Sequence, residues 1–341
     1  MTSNQAAWLD GKEQKLRVAS ADMPKAEADD IVIKVFATAI NPVDWKIQDS
    51  GYFVQTWPMI IGEDAAGEVV EVGSSVQRFK KGDRVTGHNI SLASGQAADG
   101  AFQLYSRIKA AKAAHLPSNV SYASGSVLPL ALDTAAVGLY SPLEGDKGMG
   151  LPMPSLSPKP SGKTIVVWGG SSSVGALVIQ LAVASGVKVV AVASSQNFDF
   201  CKKCGASEVY DYKKDSIVDD VVNGVKSVGG DFVGVYDAIS LQDQSYDKVL
   251  PICEKLGGGV VPVVLGGPEK KPANVKTAQV FGINELTHSI WENYVTSALE
   301  AGKLQCLPEP MIVGKGLGSV QAGFDANKKG VSAKKVVIEL N

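Results

Sequence analysis

The stretch Gly169-Gly170-Ser171-Ser172-Ser173-Val174-Gly175 carries the plainest chemistry in the chain. Glycines keep bulk away from the backbone, so peptide N–H groups can approach a ligand closely. Serine hydroxyls add further donors. Such a run suits an anion, above all a phosphate, when it opens a helix whose N-terminus adds partial positive charge. The flanking residues supply that setting. Residues 164–168 form a β-branched apolar run that reads as a buried strand. Val174, Leu177, Val178, Leu181 and Ala182 recur at helical spacing, Gly186 stops them, and residues 187–192 read as a second strand. Strand, glycine turn, helix and strand within roughly 30 residues is the context of a dinucleotide-binding unit. Gly170, Ser171, Ser172, Ser173 and Val174 are its expected phosphate-binding residues.

The end of the second strand bears on which dinucleotide. Units that bind NAD place an Asp or Glu about 20 residues after the first glycine, on the ribose hydroxyls. Here the segment reads Val189-Val190-Ala191-Val192-Ala193-Ser194-Ser195-Gln196-Asn197, and the first acid is Asp199, inside the next helix signal. A neutral, hydroxyl-rich strand end does not repel a ribose phosphate, so the expected cofactor is NADPH. The other reading of these hydroxyls is a cap on the helix that begins near Asn197.

The elements that must position this turn follow from the rest of the chain. Its 341 residues suffice for two domains. Residues 31–37, 66–73 and 79–85 give short strand signals separated by glycine and by Asn41-Pro42, which argues a small β-rich, barrel-like domain. Residues 124–140 have helical spacing. Residues 145–162 are rich in Pro and Gly and read as a linker. Beyond Ser194, helices at 198–204, 217–228 and 242–253 alternate with strands at 208–210, 232–237 and 259–265. That alternation predicts α/β structure with a doubly wound parallel sheet. A further helix is expected over 290–301. Residues 333–340 read as a closing strand that returns to the N-terminal domain.

Charge and composition exclude other classes. The formal net charge of −2 leaves no electrostatic footprint for nucleic acid. No apolar run is long enough to span a bilayer, and the N-terminal residues show no hydrophobic signal core, so a cytoplasmic location is expected. Cys201, Cys204, Cys253 and Cys306 form no disulfide framework. Cys201 and Cys204 have CxxC spacing but fall on an expected helix, where they read as buried thiols.

Taken together, Asn41-Pro42-Val43-Asp44, Gly62-Glu63-Asp64-Ala65-Ala66-Gly67, Val72-Gly73, Gly82-Asp83-Arg84-Val85, the serine-rich turn and the final Lys-Val-Val strand resemble the medium-chain dehydrogenase/reductase superfamily. The resemblance covers nearly the whole chain. It implies a Rossmann domain over residues 129–304. It also implies a GroES-like catalytic and substrate domain over 1–128 and 305–341, completed by the C-terminal strand. Within the superfamily the chain resembles the zinc-free quinone reductase and enoyl reductase branch. Trp168 to Gly175, Ser194 to Asp199 and Asp211-Tyr212 make it most similar to fungal enoyl reductases that act in trans with polyketide synthases, and to fungal "zinc-type" dehydrogenase-like proteins.

The alcohol dehydrogenases of the superfamily place a Cys where this chain has Ala39 or its neighbours. They place a His-Glu pair where it has Glu63-Asp64. Zinc needs about three protein ligands. Residues 1–128 contain no Cys, and their histidines are His88 and His115. No metal is expected, and Glu63 and Asp64 are expected to brace loops beside the cofactor. Without a Lewis acid, hydride addition to an already polarised C=C bond is easier than alcohol oxidation. The resemblance therefore implies NADPH-dependent, zinc-independent reduction of an enoyl thioester or enone. NADPH:quinone oxidoreduction and non-catalytic NADPH sensing stand as alternatives. It also implies that Val43, Asp44, Lys46 and Lys335 lie beside the cofactor, that Ser194, Asn197 and Tyr212 surround the adenosine phosphate, and that Tyr52 either donates a proton or lines the pocket. Leu265 ends a strand where ligands sit in such folds. Leu128, Leu132, Asp133 and Thr134 are expected to line the substrate cleft. The implied partner is a small-molecule substrate, including a carrier-bound acyl chain of a polyketide synthase. Monomer and homodimer are both open.

Overall fold

The computed structural model describes residues 3–340. Their strands are β1 (Asn4–Trp8), β2 (Arg17–Ala21), β3 (Asp30–Ala39), β4 (Asp64–Val72), β5 (Arg84–His88), β6 (Tyr105–Lys109), β7 (Ala113–His115), β8 (Lys163–Trp168), β9 (Lys188–Ala193), β10 (Glu208–Asp211), β11 (Asp231–Asp237), β12 (Gly259–Val263), β13 (Val275–Gln279), β14 (Glu309–Lys315) and β15 (Lys334–Glu339). The chain divides into two units. One holds the chain up to Leu130, Trp291–Leu299 and the chain from Cys306 onward. The other holds Ala131–Ile290 and Glu300–Gln305.

The first unit is a GroES-like β domain. Its main sheet runs β14-β15-β3-β4-β5-β7, with β6 also on β3, and β1 and β2 form a separate antiparallel ribbon. The long strand β3 is the hub: it pairs antiparallel with β4, β6 and β15. Its register shifts twice against β4, between Val32 and Ile33 and between Val35 and Ala37. Bulges of this kind bend a strand and raise its twist. Close to the second shift, a Cβ on Gly67 would lie 2.0 Å from the Lys34 carbonyl oxygen, so glycine is required there. Ile31, Ile33, Ile61, Phe102, Ile108, Phe324 and Ile338 are buried in one apolar cluster, and the rings of Phe102 and Phe324 meet at 5.6 Å. The closing strand β15 completes the sheet by pairing Val337 with Ala39.

The second unit is a Rossmann domain. All of its strand pairs are parallel, and their order is β10-β9-β8-β11-β12-β13. Counted from β8 this is 3-2-1-4-5-6, the doubly wound order that reverses between its first and fourth strands. Strands covered on both faces are apolar throughout. Accordingly Ile165, Val166, Val167, Val189, Val190, Ala191 and Val192 show no exposed surface. The helix Ser173–Ala184 is buried over most of its length. The helix Ile217–Val228 instead buries Val221, Val222 and Val225 and turns Asp219 and Lys226 outward.

The departures from expectation have local causes. Residues 124–140 split into Tyr122–Gly125 and Pro129–Tyr140, because the residue before a proline is disfavoured in helical geometry. The segment expected as one helix over 242–253 is a π-helical turn, Gln242–Tyr246, followed by Asp247–Lys255. Two short helices, His288–Asn293 and Val295–Glu300, replace one over 290–301. β1, β2, β13 and β14 alternate too weakly to be read from sequence. No helix among the described residues is long and apolar enough to cross a membrane.

Candidate nucleotide site and buried polar cluster

In the Rossmann unit, β8 ends at Trp168 and the glycine turn begins. Gly169 adopts φ +77°. The N–H groups of Gly169 and Gly170 both donate to the Val192 carbonyl, at 3.1 and 2.9 Å, which fixes the turn to β9. The Ser172 hydroxyl caps the helix by accepting from Gly175 N at 3.0 Å. A Cβ on Gly175 would lie 2.2 Å from the Gly169 carbonyl oxygen, so the helix can start this close to the turn only with glycine. Ser171, Ser172, Ser173 and Val174 are half-buried along the rim. A tight turn without side-chain bulk, closed on a capped helix N-terminus, fits a pyrophosphate.

The turn is tied to the end of β9. Asn197 Nδ2 donates to Ser171 Oγ at 3.1 Å and to Ser194 Oγ at 3.2 Å. Tyr212 follows β10 and is exposed, with the Lys213 ammonium 5.9 Å from its ring centre. The sheet also brings an acid here that the linear reading passed over. Asp211 on β10 is in register with Ala193 on β9. Its carboxylate accepts from Lys213 N at 3.0 Å. That bond, first, holds it below the ordinary carboxylate range; burial opposes it, and hydrogen bonds from Ser195 add to the lowering. Pairing β10 with β9 would have found it; counting residues along β9 does not.

Where the strand order reverses, Trp168 on β8 lies in register with Asp237 on β11. Asp237 Oδ1 accepts from Ile239 N and Ser240 N at 3.0 Å each, while burial pushes the carboxyl up. Ser240 is held in the left-handed region, φ +56°, and its hydroxyl accepts from Val264 N at 2.9 Å. Leu265 is the next residue and is half-buried. Leu132 and Asp133 are fully buried on the helix Pro129–Tyr140. The Thr134 carbonyl accepts from Tyr236 Oη at 2.7 Å. Leu128 is fully buried in the other unit.

The GroES-like unit holds a second constellation, at neighbouring ends of β15, β3 and β4. Asn41 follows β3, Asp64 opens β4 opposite Ala39, and Lys335 lies on β15. These three side chains close a ring. Asn41 Nδ2 donates to Asp64 Oδ2 at 2.7 Å. Lys335 Nζ lies 3.0 Å from Asp64 Oδ2 and donates to Asn41 Oδ1. Asp64 Oδ1 accepts from Leu130 N at 2.6 Å. Lys335 is therefore aimed into the unit.

Pro42–Ser50 is a helix with Pro at its first position and Gly51 as a left-handed C-cap. Asp44 is buried on it, and its Oδ2 accepts from Asn41 N at 2.7 Å. Its Oδ1 is buried with no hydrogen-bond partner among the described residues. Burial, first, and the charges of Glu63 and Asp64 push the Asp44 carboxyl well above the ordinary 3.8. Glu63 is pushed up by burial too, against His88, whose Nε2 lies 3.5 Å from Glu63 Oε2. Val43 and Lys46 are half-buried on the same helix. The Lys46 ammonium lies 5.6 Å from the Trp45 ring centre and is pushed down by burial. Tyr52, just past the C-cap, is 67% exposed, so its hydroxyl reaches water. Two signals pointed to the ring, Asn41 in Asn41-Pro42 and Asp64 in Gly62-Glu63-Asp64. Nothing local announced that Lys335 would close it from nearly 300 residues away.

The four thiols offer no thiolate. Burial pushes Cys201, Cys204, Cys253 and Cys306 up to about 12. Among the described residues, no group of three or more His, Cys, Asp and Glu is arranged to hold a metal ion.

Comparison with known proteins adds to this geometry. Residues 27–118 match the alcohol dehydrogenase GroES-like domain family, and residues 173–299 match the family described as zinc-binding dehydrogenase. The chain is 46% identical to the dehydrogenase orsE of Emericella nidulans over the full length of both. It is 42% identical to the trans-enoyl reductase himH of Aspergillus japonicus, covering 99% of this chain and 98% of that protein. A crystal structure of an alcohol dehydrogenase superfamily protein from Novosphingobium aromaticivorans superposes with a TM-score of 0.78 at 22% identity, covering all of both chains. That likeness concerns the fold.

Two outcomes follow from the geometry. Gly175→Ala should weaken binding of the nicotinamide dinucleotide at least about tenfold, since relieving the overlap with Gly169 costs roughly 1–3 kcal/mol and displaces the phosphate turn. A cofactor titration by fluorescence measures it, and unchanged affinity would reject the close-packed turn. Asp44→Asn tests the buried acid. An acid whose folded pKa is raised contributes its full stability below its unfolded value and loses it as pH rises through the folded value. Melting temperature should therefore fall more steeply with rising pH in the native chain than in Asp44→Asn. Parallel curves between acidic and alkaline pH would show that Asp44 is not held neutral.

Proposed function

The chain belongs to the medium-chain dehydrogenase/reductase superfamily and is an oxidoreductase of that family, and from that premise we propose that it reduces an activated C=C bond with NADPH and without zinc. The observation that carries the reading is its 42% identity, along nearly the whole length, to a protein named a trans-enoyl reductase. The substrate class is an enoyl thioester or enone, and a carrier-bound acyl chain of a polyketide synthase is the proposed partner form. Among the described residues no group of three or more His, Cys, Asp and Glu is arranged to hold a metal ion, which supports the zinc-free part.

NADPH, when bound, supplies the hydride. The chain's own residues bind and orient. Gly170, Ser171, Ser172, Ser173 and Val174 hold the phosphates, as the built turn and its serine cap support. Ser194, Asn197 and Tyr212 hold the adenosine end, with Asn197 joining it to the phosphate turn. Val43 and Lys46, half-buried, flank the nicotinamide, Asp44 is buried beneath them on the same helix, and Leu265 closes its ribose side. Thr134, half-buried, lines the substrate; Leu128, Leu132 and Asp133, expected there too, have no exposed surface and do not reach it. The substrate's own carbonyl spreads the charge that hydride addition creates, so positioning is the main task of the protein. The proton comes from water, because the Tyr52 hydroxyl, the residue named for it by resemblance, is itself open to solvent.

NADPH should bind more tightly than NADH. One or two charge-assisted hydrogen bonds to the ribose phosphate, each roughly 1.5–3 kcal/mol, give a preference of about ten-fold to several hundred-fold. Equal dissociation constants by titration would reject the cofactor reading. Steady-state assays with enoyl thioesters, quinones and small enones test the substrate class, and NADPH oxidation with none of them would leave a binding protein. Tyr52→Phe should change kcat on an enoyl substrate by less than about three-fold, while Tyr52→Ala mainly raises KM. A loss of ~100-fold on enoyl substrates, with none on quinones, would instead make Tyr52 the acid.

A further inference from the structure

The family description matched by residues 173–299 implies zinc, and the donors present do not fit it. The disagreement has a positive counterpart in the buried ring. Asp64 has no exposed surface, and Lys335 retains 2%. A carboxylate taken out of water is costly unless a cation and hydrogen-bond donors meet it. A free divalent ion would need the oxygens that face inward here, Asp64 Oδ2 and Asn41 Oδ1. Both are already engaged by the Lys335 ammonium. The remaining Asp64 oxygen accepts from Leu130 N. Lys335 is also the cation whose charge offsets Glu63 and Asp64 at the buried Asp44.

We infer that the Lys335 ammonium is the resident cation of this pocket, a tethered positive charge that occupies the oxygens a metal ion would bind. It is a positioning residue. From β15 it fixes the Asn41 amide, and through Asp64 it holds the backbone at Leu130, where the helix Pro129–Tyr140 begins. Because the cation is covalent, the pocket keeps its charge with no exchange and refuses a divalent ion. The inference rests on the zinc-free reading in one respect, that the native chain carries no metal here.

The test uses the full chain and reads stability and binding rather than turnover. Lys335→Ala removes the ammonium and the carbons that reach it, leaving a charged cavity. Its melting temperature should fall by roughly 5–10 °C, the scale of breaking a buried pair. n-Propylammonium replaces the missing atoms and should restore at least half of that loss, whereas 1-propanol, of the same shape without the charge, should not. Equilibrium dialysis should show Lys335→Ala taking up Co²⁺ that the native chain refuses. Equal rescue by the amine and the alcohol, or rescue by neither, would overturn the proposal. If Lys335→Ala does not fold, Lys335→Met and the pair Lys335→Met with Asp64→Asn decide it. The pair is neutral, and the Asn41 amide can turn over to serve Asn at 64. It should therefore recover most of the stability that the single change loses, and a pair no more stable than Lys335→Met would overturn the proposal. Elemental analysis separates the two readings. Zinc at about one per native chain defeats the zinc-free reading, while no zinc together with no amine rescue defeats only the lysine proposal.

Discussion

A carboxylate sealed from water dictates its surroundings, and Asp64 is such a group. Its oxygens must be met by donors in fixed places, and those places are set by strand pairing. β3 brings Asn41, β15 brings Lys335, and the first turn of the helix Pro129–Tyr140 brings the Leu130 amide. The order of β15, β3 and β4 in the sheet is thus a condition for the ring as well as for the apolar core. Ile31, Ile33 and Ile338 supply the nonspecific burial, and the ring supplies register. A slip of one residue in β15 would turn Lys335 to the opposite face and strand Asp64 without its cation.

The Rossmann unit relies on a different constraint, the closeness of two backbones. Gly175 can lie against the Gly169 carbonyl only because it has no Cβ. The two amides that fix the turn to Val192 then determine where the phosphate donors point. Asn197 extends the same arrangement to the end of β9. This site is assembled by steric permission and local hydrogen bonds over a short span of sequence, whereas the Asp64 ring is assembled by long-range pairing.

That difference explains what could be read in advance. The glycine turn, its helix and the β8–β9 pair are local, so periodicity and punctuation revealed them. Runs of apolar residues also revealed β3, β4 and β11, which are buried over most of their length. β13, with Lys276 and Gln279 exposed, carries no such pattern and emerges only from its pairing with β12. The long helix expected over 290–301 failed for a local reason, a break at Tyr294 that its apolar spacing conceals. The site residues divide in the same way. Ser171 to Val174 were legible from their neighbours. The inward aim of Lys335 was not, because a lysine in a closing strand looks the same from sequence whether it faces solvent or a buried carboxylate.

Asp211 shows how register can also qualify an electrostatic argument. Along β9 the strand end is neutral, yet the adjacent strand places a carboxylate beside Ala193. Taken alone, that charge would oppose a ribose phosphate. Two features limit it. Its lone pairs are spent on Lys213 N and Ser195, which fixes the carboxylate in direction. It is also only half-buried, on the edge strand β10, so water screens it in part. A partly screened, hydrogen-bonded carboxylate acts mainly on donors within reach, and it holds Ser195 directly after Ser194. The same acid that weakens the charge argument for NADPH therefore orders the hydroxyl-rich segment on which that argument rests. The balance between these effects is set by the β9–β10 register rather than by the composition of either strand.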